Sequence, residues 1–234
     1  TAHTSLVSYR QAHSVRWRGV GRRHAYIVAV AVLLAFGAWQ VGGAVWIHGK
    51  ALVAQMLLER GWNARLAGQD ENAAKPWPWA DTAPVGRLHV PRLKINQVIL
   101  AGASGRTLAF GPGHLSGTAL PGSRGHSIVS GHRDTHFTFL RDLIPDDEVH
   151  IQRSDGKIVI YRVTGHQVVD ARLATFTDTP DRSTLTLVTC YPFDALDTSG
   201  PLRYVVFTES VELSDQEGIE LDHISQPERG YSSG

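Results

Sequence analysis

The chain has one cysteine, Cys190, which ends the stretch STLTLVTC and is followed at once by Tyr-Pro. Alternating Thr, Leu and Val read as a β-strand. The thiol would therefore sit on a rigid element, at a rim that a substrate can reach. Pro192 stops that strand from pairing further. The thiolate is the nucleophilic form of a cysteine, and a nearby cation favours it. Two other segments carry groups suited to such a thiol. GPLRYVVF places Arg203 thirteen positions after Cys190, which leaves room for a short connection between neighbouring strands. A planar, permanently charged guanidinium there suits a substrate carbonyl or a developing oxyanion. HSIVSGHRD places His132 just after a β-like run and a glycine. A histidine beside a cysteine supplies the general acid and base that thioester chemistry requires.

Each group taken alone has a plainer reading. A lone cysteine is as often an inert buried residue as a reactive one, and with no second cysteine there is no intramolecular disulfide. His132 is one of 12 histidines, and most histidines are surface or hydrogen-bonded structural groups. Arg203 by itself would be an exposed strand residue. His114, His126 and His136 share the region of His132 and are read as structural or substrate-proximal. No metal or other cofactor is expected, because no acidic ligand pattern accompanies those histidines and the thiol lies far along the chain. Asp134, Asp194 and Asp197 read as solvated loop residues, with orientation of His132 or binding of an amine as the sharper alternatives.

The elements that must position these groups follow from hydropathy and turn residues. From Val85 to about residue 212 the chain is mainly β. Segments 127–130, 148–152, 157–169, 183–189 and 202–209 are rich in Val, Ile, Thr, Tyr and Phe and are bounded by turn residues. SDG at 154–156 predicts a hairpin, Pro91 interrupts GRLHVPRLKI, and short helical pieces are expected near 106–110 and 137–143. Many short strands with few helices suit a closed barrel or a sandwich. The connection DARLATFTDTPD, with Leu173 and Phe176, could receive the apolar residues of a bound peptide, and simple burial is the alternative.

Ahead of this domain, residues 26–47 read YIVAVAVLLAFGAWQVGGAVWI, without charge. A helix of this length is just over about 30 Å long, enough to cross a bilayer. Arg16, Arg18, Arg22 and Arg23 precede it and only Lys50 soon follows, which places residues 1–25 in the cytoplasm and the rest outside. A cleaved signal peptide is the rival reading, but the run is long for one. Residues 48–84 are expected to form a helical stalk and then a Pro/Trp-rich, semi-rigid linker. Residues 213–234 form a polar tail. Lys+Arg 23 against Asp+Glu 22 gives a net charge of +1, so no nucleic acid or other polyanion is expected as a partner.

The segments that carry the chemistry resemble the sortase family of cysteine transpeptidases. TLVTC matches the family's TLxTC signature, SGHRD its histidine segment and LRYVV its arginine strand, in the family's order and over residues 85–212. The resemblance implies an eight-stranded sortase-type β-barrel with short helices, preceded by a transmembrane helix. It implies that Cys190 is the nucleophile, His132 the general acid/base and Arg203 the group that positions substrate or stabilises the oxyanion, with Thr189 lining the site. The implied substrate is a protein bearing an LPxTG-like C-terminal sorting signal, and the implied acceptor is an amine on the cell envelope. The linker and the stretch GPGHLSGTALPGSRGHSIVSGHRDTHF are more similar to the group found in Gram-negative bacteria, where a single dedicated target would suffice. A cysteine peptidase using water has the same catalytic set, and a non-catalytic envelope binding module is the reading from another class. A peptidoglycan L,D-transpeptidase would need a Gly-rich cysteine context that is absent here.

Overall fold

A computed structural model describes residues 18–175, 182–195 and 200–211 (the side chains of residues 18–22, 44, 45, 47 and 48 excepted). Phe176 and Asp197 lie outside the described residues. The chain divides between Leu52 and Val53 into two compact units.

The described part of the first unit is helical. Helix α1 runs from Arg18 to Leu66, and within it Arg23–Gly43 is a 21-residue span of mean hydropathy 1.9 with none of it buried. Length and apolarity suffice to cross a membrane. Leu33, Leu34, Phe36 and Trp39 are all exposed, and Lys50 places its ammonium 5.2 Å from the Trp46 ring centroid.

The second unit is a barrel with the end of α1 packed on it. Among the described residues, eight strands close in the order β1-β2-β3-β4-β7-β8-β6-β5. They are β1 (Pro84–Val90), β2 (Ile95–Ala101), β3 (Gly113–His114), β4 (Gly125–Ser130), β5 (Glu148–Gln152), β6 (Ile158–Asp170), β7 (Ser183–Cys190) and β8 (Leu202–Ser210). Neighbours run antiparallel except β2 with β3 and β4 with β7. The short helix α2 (Gly105–Leu108) and a 3₁₀ turn (Thr138–Asp142) occupy the connections where helical pieces were expected. The SDG turn joins β5 to β6, with Gly156 at φ +83°, a backbone angle that glycine takes without steric cost. Alternate residues of the longer strands enter one core, including Leu88, Ile99, Val129, Val149, Ile151, Tyr161, Leu185, Leu187 and Val206, as the two-residue period of a strand requires.

Pro91 ends β1, and the chain turns back through Lys94, at φ 55°, into β2. GRLHVPRLKI is thus the end of one strand, a turn and the start of another. The two-residue β3 was not legible, because a pair of residues carries no periodicity.

Residues 68–84, expected to be a spacer, lie against the barrel instead. Leu58 and Trp62 of α1 are buried with Val98 and Leu100 and pack on Phe110. Trp77 meets Phe110 edge-on, with centroids 4.9 Å apart, and Ala74, Ala80 and Ala83 are buried. The Thr82 hydroxyl donates to the Ala101 carbonyl. The segment does not run extended: it turns at 71–74 and again at 78–79, where the Ala80 amide donates to the Trp77 carbonyl, and its small and aromatic residues supply a face that the barrel wall covers.

Candidate active site

Strand β7 is built to present Cys190. Leu185 and Leu187 enter the core, so the residues between them, and Cys190 beyond, face the other side. Strand β8 pairs antiparallel with β7, and Cys190 lies directly opposite Arg203 in the register. Residues directly opposite share a face, with Cβ atoms about 5 Å apart. Cys190 is partly exposed. The Arg203 Nη1 donates to the carbonyls of Gly200 and Leu202, each at 2.8 Å, which holds the guanidinium at the end of the β7–β8 connection. The Tyr191 amide donates to the Leu202 carbonyl across the same strand pair.

His132 follows β4, the strand beside β7. Ser130 pairs with Val188 in the parallel β4–β7 ladder, and Gly131 donates its N–H to the Val188 carbonyl. The Thr189 hydroxyl donates to the Gly131 carbonyl at 2.7 Å. Continued by two residues, this register sets His132 level with Cys190. The His132 carbonyl accepts the Phe137 amide, which closes the turn, and the His132 side chain is exposed. Thr189 itself is buried; its hydroxyl links the histidine segment to the cysteine strand.

Gly131 is a steric requirement of that link. A Cβ built there would lie 2.6 Å from the Phe137 ring, and Phe137 is fully buried in the barrel core. The ring cannot retreat without strain, so Gly131→Ala is expected to destabilise the fold by about 1–3 kcal/mol. It should also slow alkylation of Cys190 through displacement of His132. Urea unfolding and iodoacetamide kinetics check both effects, and a variant of wild-type stability would contradict the close approach.

A cationic side chain that sequence reasoning passed over lies beside these residues. Arg133, 4% exposed, donates to the Pro192 carbonyl and, at 2.5 Å, to the Ala195 carbonyl. Asp134, exposed, lies 3.6 Å from its Nε, so that carboxylate is directed at Arg133. Past the thiol, Tyr191 and Phe193 form an aromatic cluster with Tyr204, the Phe193 and Tyr204 centroids being 5.2 Å apart. Arg141 caps Phe193 at 5.6 Å and pairs with Asp194.

The charges at the rim are set by neighbours. Asp170 ends β6, one residue after Val169, the partner of Arg203. Hydrogen bonds from the Arg172 side chain and backbone push its carboxyl down to about 2, with Arg203 adding a smaller attraction, so Asp170 is an anion throughout the physiological range. His136 is shifted down, chiefly by burial and slightly by His132, against an opposing hydrogen bond with the Ala109 backbone. It is a neutral imidazole at neutral pH. Gln97 donates to the His136 carbonyl. His126 lies 2.7 Å from the Thr186 hydroxyl on β7, and buried His114 holds the Ala119 carbonyl and the Thr118 hydroxyl. Both have fixed local partners. Leu173 stands in the turn after β6 and is 81% exposed.

The sortase-domain family model matches residues 88–211, more than half of the chain. The chain belongs to the sortase family. Sortase D of Bacillus subtilis (strain 168) is 29% identical over 127 residues, which are 54% of this chain and 63% of that protein, so the match spans less than two thirds of that relative's length. The Clostridium perfringens Sortase D5 transpeptidase has the same fold, with a TM-score of 0.55 at 23% identity over 68% of this chain and 99% of that one. Sortase A from Corynebacterium diphtheriae gives 0.51 at 24% identity, over 69% and 86%.

Within this sortase domain, the strand pairing brings Cys190 and Arg203 together, and His132 follows the end of β4, which is tied to β7 through Gly131 and Thr189. Arg133, Gly131 and Phe137 also shape the site. The signal for Arg133 was its position next to His132 in SGHRD. Gly131 sat in the same motif, but nothing in the sequence revealed the ring that crowds it.

Proposed function

We propose that this protein is a membrane-anchored sortase that cleaves an LPxTG-like C-terminal sorting signal between Thr and Gly and passes the acyl group to an amine on the cell envelope. The observation that carries this reading is the register that sets Cys190 opposite Arg203, with His132 on the neighbouring strand end. The Cys190 sulfur attacks the Thr carbonyl, and Arg203 faces the oxyanion that forms. The C–N bond then breaks, His132 gives a proton to the departing Gly amine, and a thioester remains. His132 takes a proton from the incoming amine as that amine attacks the thioester, and the C–S bond breaks to release the Cys190 thiolate. Leu173 and Phe176, in the connection from β6 to β7, are assigned to the apolar residues of the signal, and Thr189 to holding the site beside the thiol.

The anchor reading is supported by the apolar span Arg23–Gly43 and by the arginines Arg16, Arg18, Arg22 and Arg23 around its start. They favour a cytoplasmic N-terminus and an extracytoplasmic catalytic domain. The partners are then a signal-bearing protein, with one dedicated target sufficient, and the acceptor amine; the reaction itself calls for no cofactor.

Mass spectrometry of the full-length protein incubated with a library of LPxTG-like peptides tests the function. A mass increase on Cys190 equal to the acyl fragment, discharged onto an added amine, is the expected result. Discharge to the free acid at an unchanged rate with and without amine would make the protein a cysteine peptidase. Absence of any adduct across the library would remove the assigned signal.

A further inference from the structure

Arg133 has no part in the chemistry described above, yet it is nearly fully buried. A buried guanidinium is costly unless its donors are satisfied. Arg133 gives donors to the main-chain carbonyls of Pro192 and Ala195, two and five residues after Cys190. On the other side of Cys190, Gly131 binds the Val188 carbonyl and receives the Thr189 hydroxyl. The two attachments bracket the site. His132 lies between the anchored residues Gly131 and Arg133, and Cys190 lies between the anchoring residues Val188–Thr189 and Pro192–Ala195.

We propose that Arg133 is a positioning residue, which bolts the histidine segment to the chain beyond the nucleophile and so sets the separation of His132 from Cys190. This rests on reading His132 and Cys190 as the reacting pair. Val188 and Thr189 fix Gly131, and the Phe137 amide closes the turn on the His132 carbonyl. None of these bonds ties the turn to the chain beyond the thiol; the Arg133 attachment does. A fork is needed, because the two carbonyls belong to residues three apart, and a planar guanidinium presents divergent donors in fixed geometry whereas an ammonium is a point charge on a flexible stem. Arg133 also fixes the first residues of the β7–β8 connection, while Arg203 holds its last ones through Gly200 and Leu202.

The test is the rate of Cys190 alkylation by iodoacetamide as a function of pH, in full-length wild type, His132→Ala, Arg133→Met and Arg133→Lys, with thermal unfolding measured alongside. The difference between wild type and His132→Ala defines the His132-dependent part of the profile. In Arg133→Met that part is expected to fall by about tenfold or more, since displacement on the order of 1 Å costs on the order of 10²-fold in such pairs. Arg133→Lys should recover only a fraction of it. A merely structural role would lower the unfolding temperature and leave the profile of the folded protein as in wild type, which would overturn the proposal. If both Arg133 variants are unfolded at the assay temperature, Arg133 is a stability residue and the proposal fails. If wild type and His132→Ala coincide, it is the pairing of His132 with Cys190 that fails, whatever Arg133 does.

Discussion

Cys190→Ala is expected to lower turnover of a sorting-signal peptide by on the order of 10³-fold or more and to abolish the acyl adduct altogether. The chain has no other thiol, so no neighbouring group can take over the attack. The substitution tests chemistry rather than folding. Cys190 is the last residue of β7 and is partly exposed, whereas the strand's hold on the core comes from Leu185 and Leu187. Loss of one sulfur atom at such a position should change stability by less than about 1 kcal/mol. The measurement is single-turnover cleavage of a labelled peptide together with a urea titration. Retained cleavage by a folded Cys190→Ala protein would remove the thioester mechanism.

Arg203→Lys is the second large effect, about 10²-fold in kcat/KM. Arg203 lies opposite Cys190, and one of its nitrogens already serves two carbonyls of its own connection. The guanidinium can hold those carbonyls and still present another N–H to an oxyanion, because its donors diverge in a plane. An ammonium of similar reach places one compact charge and must choose between the two tasks. The loss should fall on kcat more than on KM, because the developing oxyanion exists only in the transition state. Asp170 keeps its negative charge beside Arg203 in either variant, so a lysine there would be drawn further from the thiol. Wild-type kcat/KM in Arg203→Lys would remove Arg203 from the reaction.

The alternation of Leu185, Leu187 and the residues between them is visible in the sequence, and it marks β7 as a strand with Cys190 at its end. Period two also marks β5, β6 and β8, and the SDG turn marks the hairpin between β5 and β6. The residues alone left a barrel and a sandwich open. Alternation tells which side of a strand is apolar and says nothing of which strand lies beside it. The parallel pairing of β4 with β7, across an interval of more than fifty residues, is a long-range choice of this kind. Residues 68–84 show the same limit. Their prolines point to extended backbone, but the segment folds through turns at 71–74 and 78–79, and whether it spans water or lies on a barrel depends on the complementary face of Val98, Leu100 and Phe110.

The sequence by itself determined the three side chains capable of the chemistry, their order along the chain and the strand that ends in the thiol, because these depend on residue type and local period. Tertiary structure alone decided that Cys190 and Arg203 are register partners, that Gly131 must be bare of a Cβ because Phe137 crowds it, and that Arg133 is buried between the two segments of the site. Each of those rests on contacts between residues distant in the chain, and their geometry is fixed only once the barrel closes.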